Sequence, residues 1–226
     1  MKKLLLLAAT LLLGACASSP PPPEWQSQSF TALQSYTAAY LSGNTRVAEV
    51  EFARAKAEVA RTGRPDLMAR LELLRCATQV ASLDMNPCAG YQALAQDAAP
   101  AEQAYASFIA GRWDTLPVAQ IPAHYRALVS QTQGRPTAKS EQDSSAPSQK
   151  KLNQIEDPLA RLVAAGALIQ REPLSSADID LAVATASAQG WRRPLLAWLG
   201  AQLKRQQDIG NAGAAADIQR RIDLVR

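Results

Sequence analysis

Past Trp25 the chain shows no sustained alternation of apolar and polar residues, and its valines and isoleucines are scattered, so no strands are predicted. Alanine and leucine dominate instead, and both favour helix. The spacing of apolar positions predicts helices over residues 27–42, 45–62, 65–84, 88–97, 100–113, 122–133, 157–171, 176–189, 194–209 and 212–225. Gly43-Asn44, Gly63-Arg64-Pro65, Gly190 and Gly210-Asn211 read as helix-ending glycines followed by new starts. Asp157-Pro158 reads as an N-cap followed by proline in the first turn, and Ser175 with Asp178 as a weak capping box.

Two of these helices look apolar on opposite faces. In 65–84, Leu67, Leu71, Leu74, Thr78 and Ala81 form one stripe, and Ala69, Leu73, Cys76, Val80 and Leu83 form another. In 45–62, Val47, Val50, Ala57 and Ala60 lie opposite Ala48, Phe52, Ala55 and Val59. A helix with two apolar faces requires cover on both, which suits layered helical hairpins. The expected fold is therefore all-α, either stacked antiparallel hairpins or an irregular helical bundle. Trp191 to Arg226, with Leu195 to Leu199, Gly210, Ala214 to Ala216 and Arg220 to Leu224, resembles a tetratricopeptide-type hairpin, without most of that family's signature positions.

Residues 134–151, GRPTAKSEQDSSAPSQKK, contain no large apolar side chain. They read as a disordered linker or loop between helical parts at 25–133 and 152–226. Two lobes and one stack with an extruded loop are both compatible with this pattern.

The N-terminus follows a different logic. Lys2 and Lys3 precede an apolar run from Leu4 to Leu13, which is shorter than the roughly 20 residues a bilayer span needs. It fits the apolar core of an export signal covering residues 1–15. The next residues, Leu13-Gly14-Ala15-Cys16, resemble the lipobox of bacterial lipoproteins. That resemblance implies a diacylglycerol on the Cys16 sulfur, cleavage before Cys16 and acylation of the new amine. Two or three acyl chains give a stable membrane anchor where one does not. Ala17, rather than Asp, implies sorting to the outer membrane by the enterobacterial pattern of that family. Residues 16–24 include Pro20 to Pro23 and read as a polyproline tether, spanning roughly 25–30 Å between Cys16 and Trp25.

Composition narrows the function. The formal charge of +4 falls by two once Lys2 and Lys3 leave with the leader, too little for a nucleic-acid footprint. Three cysteines leave the pair Cys76 and Cys88 once Cys16 carries lipid, and an oxidising compartment favours their disulfide. If their helices form a plain antiparallel hairpin, the two sulfurs differ in level by about 6 Å, so the bond requires a crossing or a bent connection.

Chemistry is sparse. His124 is the sole histidine, no G-x-S-x-G surrounds a serine, and no metal-ligand spacing or phosphate-binding glycine loop occurs, so no metal or cofactor is expected. Glu49/Glu51 and Asp178/Asp180 are two residues apart on helices and point in different directions, which does not suit paired-carboxylate catalysis. Trp191-Arg192-Arg193 forms the sharpest candidate partner-binding cluster, able to grip a carboxylate, phosphate or peptide. The alternative there is a tryptophan packed at a hairpin junction beside solvated arginines. The expectation is a lipid-anchored, non-enzymatic scaffold that binds another envelope protein. A cell-wall enzyme or activator, or a carrier of an apolar ligand, stands as the alternative.

Overall fold

A computed structural model of the chain describes residues 21–133 and 151–226. The leader, Cys16, the start of the tether and all but the last residue of the 134–151 segment lie outside the described residues. Everything described is helix, turn or loop. The longer helices are α1 (Glu24–Leu41), α2 (Thr45–Ala60), α3 (Pro65–Val80), α5 (Pro100–Ile109), α6 (Ala123–Thr132), α7 (Pro158–Ile169), α8 (Ser176–Ala188), α9 (Arg192–Asp208) and α10 (Ala212–Val225). A single turn, α4 (Ala89–Gln92), follows α3.

The expected punctuation acts as predicted. Gly43, Gly63, Gly190 and Gly210 all adopt positive φ at helix ends, where a side chain would be strained. Asn44, Asp157, Ser175 and Asn211 each accept a hydrogen bond from a backbone N–H in the first turn that follows. The predicted helix 65–84 ends earlier, because Leu83 enters the left-handed region at φ 56° and turns the chain. The expected helix over 88–97 reduces to α4 and a 3-10 turn, Ala95–Asp97. Asn86-Pro87 and the bend at Leu83 form the bent connection the cysteines need. Cys76 and Cys88 are joined in a disulfide with Cα atoms 5.8 Å apart.

α3 is the axis of the fold. Leu71, Thr78 and Ala81 on one side and Ala69, Leu73, Cys76 and Val80 on the other are buried. Leu67 and Leu83 are half-buried, and Leu74 is 39% exposed. Around α3, helices α1, α2, α5 and α7 pack, while α7 to α10 follow as sequential hairpins, each against the next. The architecture thus combines a hairpin stack with an irregular bundle about one central helix.

The two-faced expectation for α2 does not hold. Ala48, Phe52, Ala55 and Val59 are buried against α1, but Val47 and Val50 are 43% and 61% exposed, and Ala57 and Ala60 are exposed too. No described element covers that outer face, so α2 is a one-sided peripheral helix.

The question of lobes is decided by the core. One cluster unites Leu73, Phe108, Trp113 and Leu128 with Leu152, Leu162, Val183, Trp198 and Ile222, so residues on both sides of 134–150 share it. The smaller α1–α2 cluster joins it through Leu159 and Trp191, which pack against both. Polar bonds reinforce the union. Trp198 Nε1 donates to the Ala81 carbonyl at 3.0 Å. The largely buried Arg171 donates to the Thr132 carbonyl at 3.2 Å and pairs with Asp114 at 2.7 Å.

Candidate functional site

A groove of about 620 Å³ opens between α1, α3, α5, α6 and α7. Leu73, Leu74 and Ala77 of α3 form one wall, Leu33 of α1 a second, and Leu159 and Val163 of α7 a third. Leu74 is the one apolar position of α3 left substantially open, and it borders this groove.

An aromatic layer sets the fourth wall. Phe108 and Tyr125 stack with ring centroids 4.3 Å apart, and Trp113 also stacks on Phe108 at 5.4 Å. Tyr125 and Tyr105 face the groove, with their rings stacked and centroids 6.2 Å apart. The connector into α6 is pinned by Arg126, which donates to the carbonyls of Ile121 at 3.0 Å and Ala119 at 2.8 Å. Pro122 then precedes α6 and delivers His124 and Tyr125 to the groove.

The ionisable groups around it are mostly engaged. Arg70 pairs with Glu102 at 3.0 Å. Asp157 caps α7 by accepting from the Ala160 N–H at 2.6 Å. Burial pushes the Tyr105 phenol up to about 12 and raises Tyr125 further, so both are neutral donors near pH 7. His124 is exposed at the rim, in edge contact with Tyr125 at 4.0 Å between ring centroids. Partial burial lowers its pKa, against a smaller opposing effect of the Asp157 charge. Among the described residues it has no hydrogen-bond partner, and neither has the side chain of Gln120.

The groove was not legible as such in the sequence. The sequence marks His124 as the sole histidine and Leu74 as one of an apolar stripe, with no local pattern joining them to Tyr105, Tyr125 or Leu159. Their meeting depends on α7, which reaches the site from beyond the 134–150 segment.

The other candidates sit elsewhere. Arg193 donates through Nε to the Tyr40 carbonyl at 2.7 Å and through Nη2 to Thr45 Oγ1 at 2.6 Å, with its guanidinium 4.2 Å over the Tyr40 ring. Arg192 donates to the carbonyls of Val225 and Arg226. Trp191 is half-buried between the two core clusters. The three residues therefore clasp α9 to α1 and to the C-terminus. The junction tryptophan matches one of the two sequence readings, but its arginines are bonded within the chain rather than merely solvated.

Glu49 accepts from Arg75 at 2.8 Å and Glu51 pairs with Arg54 at 3.5 Å. Asp178 is buried beside the Ser175 hydroxyl, whereas the exposed Asp180 accepts from Gln202. Among the described residues no group of three or more His, Cys, Asp or Glu side chains could hold a metal ion, and no helix is long and apolar enough to cross a membrane. Compared with known proteins, the chain matches no family model, and neither a curated protein nor a solved structure shows significant similarity to it.

Proposed function

We propose that this chain is a lipid-anchored, non-enzymatic binding protein of the bacterial cell envelope, a helical scaffold tethered to the outer membrane through Cys16. The leader, the Leu13–Cys16 motif and the proline tether support the anchoring. The disulfide fits an oxidising compartment. The observation that carries the binding role is the apolar groove, whose volume falls in the range of ligand sites. Its surroundings suit binding better than catalysis. The hydroxyls of Thr37 and Thr78 are bonded to their own helices, and His124 has no nucleophile as a hydrogen-bond partner.

The scaffold reading places an apolar portion of another envelope component in the groove. The carrier reading gains weight from the apolar walls that Leu33, Leu73, Leu74, Leu159 and Val163 form. Both are tested in cells that express the full chain with a photo-crosslinking residue at position 74 or, as a control, at the exposed position 50. Feeding a clickable palmitate should label the wild type, and Cys16→Ser should lose the label and leave the membrane fraction. A discrete adduct is expected from position 74 and none from position 50. No adduct from 74, with lipid label intact, would remove the groove as the binding face. Release of fragments from purified sacculi by the protein would overturn the non-enzymatic role.

A further inference from the structure

The charge around the groove selects among occupants, on the footing that the groove is the binding site. By count its lining side chains balance, Arg70 and Arg126 against Glu102 and Asp157. By availability they do not. The Glu102 side chain is 14% exposed and accepts from Arg70 Nε, and Asp157 accepts from the Ala160 N–H at the start of α7. Arg70 keeps both terminal nitrogens open, on a side chain 64% exposed. Arg126 bonds only to the neutral carbonyls of Ile121 and Ala119. Among the described residues it pairs with no carboxylate, and its Nη1 is free.

Three helix starts add to this imbalance. Residues from the first turns of α5 (Ala101, Glu102), α6 (His124, Tyr125) and α7 (Leu159, Ala160) all line the groove. α6 has neither a capping side-chain hydrogen bond nor an acidic residue in its first turn. At about half a unit of positive charge each, three N-termini tip a balanced set of side chains toward positive. Tyr105 and Tyr125 bring two phenolic donors, of which at most one can be spent on the other. The groove thus offers a surplus of donors, which suits a head that only accepts, an ionised carboxylate.

The apolar walls set the rest of the occupant. If each methylene takes roughly the 30 Å³ of a water molecule, 620 Å³ holds one chain of about 16 carbons and excludes a two-chain lipid. A peptide fits less well. Each of its residues brings a backbone N–H and C=O that Leu33, Leu73, Leu74, Leu159 and Val163 cannot serve.

We infer that the groove binds a long-chain fatty acid, with its carboxylate at Arg126 and the start of α6 and its chain along Leu74 and Leu159.

The test mixes the full chain with phosphatidylcholine vesicles carrying one of two probes, a fatty acid or the fatty alcohol of the same chain. Both bear the same diazirine and alkyne. Irradiation at pH 8, where the acid is ionised, is followed by mapping of the adducts, normalised to probe in the vesicles. The acid should label groove residues about tenfold more than the alcohol, as expected for one charge-assisted hydrogen bond. Arg126→Gln should remove most of that preference, and Arg70→Gln part of it. The ratio of the two probes is the readout, because a loosened connector would move both alike. Ala101→Trp and Leu74→Glu, at two exposed lining positions, should each cut acid labelling about tenfold, while Val50→Glu leaves it unchanged. Equal labelling of the groove by acid and alcohol would overturn the anionic head while leaving the groove as a binding site. A preference that survives both arginine variants would overturn the place given to the carboxylate. Labelling confined to other surfaces, or indifferent to both groove variants, would overturn the groove itself.

Discussion

Gly166 of α7 lies directly against Val80 at the end of α3, so close that a methyl on its Cα would overlap the Val80 carbonyl oxygen and stand 2.9 Å from Val80 Cγ1. The contact seats α7 on the axial helix and so holds Leu159 and Val163 in the groove wall. Gly166→Ala should destabilise the protein by about 1–3 kcal/mol through overpacking. Gly200, also helical, faces open space, and Gly200→Ala should be neutral or stabilise by up to about 1 kcal/mol. Urea midpoints of the two variants check the contrast, and equal effects would contradict the close approach.

The disulfide joins cysteines 12 positions apart in sequence, closing a loop around the bend at Leu83. Cys76→Ser with Cys88→Ser should lower stability by about 2–3 kcal/mol in the chain-entropy model. Wild-type protein treated with reductant should unfold at the same denaturant concentration as the double variant. Two freely alkylated thiols in non-reduced protein would exclude the bond.

Arg193 ties α9 to α1 across 153 residues of sequence. Its planar fork serves a carbonyl and a hydroxyl at once, which an ammonium cannot reproduce. Arg193→Ala should cost about 1.5–3 kcal/mol, and Arg193→Lys should recover less than half of it. Hydrogen exchange should quicken at the end of α1, around Tyr40 and Leu41. Unchanged exchange there would show that the clasp is dispensable.

His124 links pH to stability with a definite sign. Its folded pKa lies below the ordinary 6.5, because partial burial disfavours the cation more than Asp157 favours it. Above 6.5 the ring is neutral in both states and contributes nothing. As pH falls below 6.5, the unfolded chain takes the proton first, so stability declines until the folded pKa is passed and then levels. Denaturation of wild type and His124→Gln at pH 7.5, 6.5 and 5.5 should show a steeper acid loss in the wild type. Parallel curves, or a midpoint above 6.5 by NMR titration of the ring, would contradict this.

Local order was legible because its causes are local. Asn44, Asp157, Ser175 and Asn211 cap the helices that follow them, and the glycines at 43, 63, 190 and 210 adopt the positive φ that their positions suggested. Where a local signal conflicted with packing, packing prevailed. Leu83 accepts a left-handed backbone while its side chain stays against the core, and this shortens a helix that periodicity extends to residue 84.

By itself, then, the sequence determined the all-α class, most of the helices and their caps, and the expectation that Cys76 pairs with Cys88. Tertiary structure alone decided that the parts on either side of 134–150 share a core, that Val47 and Val50 face outward, and that Arg192 and Arg193 clasp the fold. It also brought His124, Leu74 and Leu159 around one groove. The division has a physical origin. Caps and helical periodicity act over three or four residues, whereas the partner of an apolar face is chosen by contacts between distant segments, which no local pattern encodes.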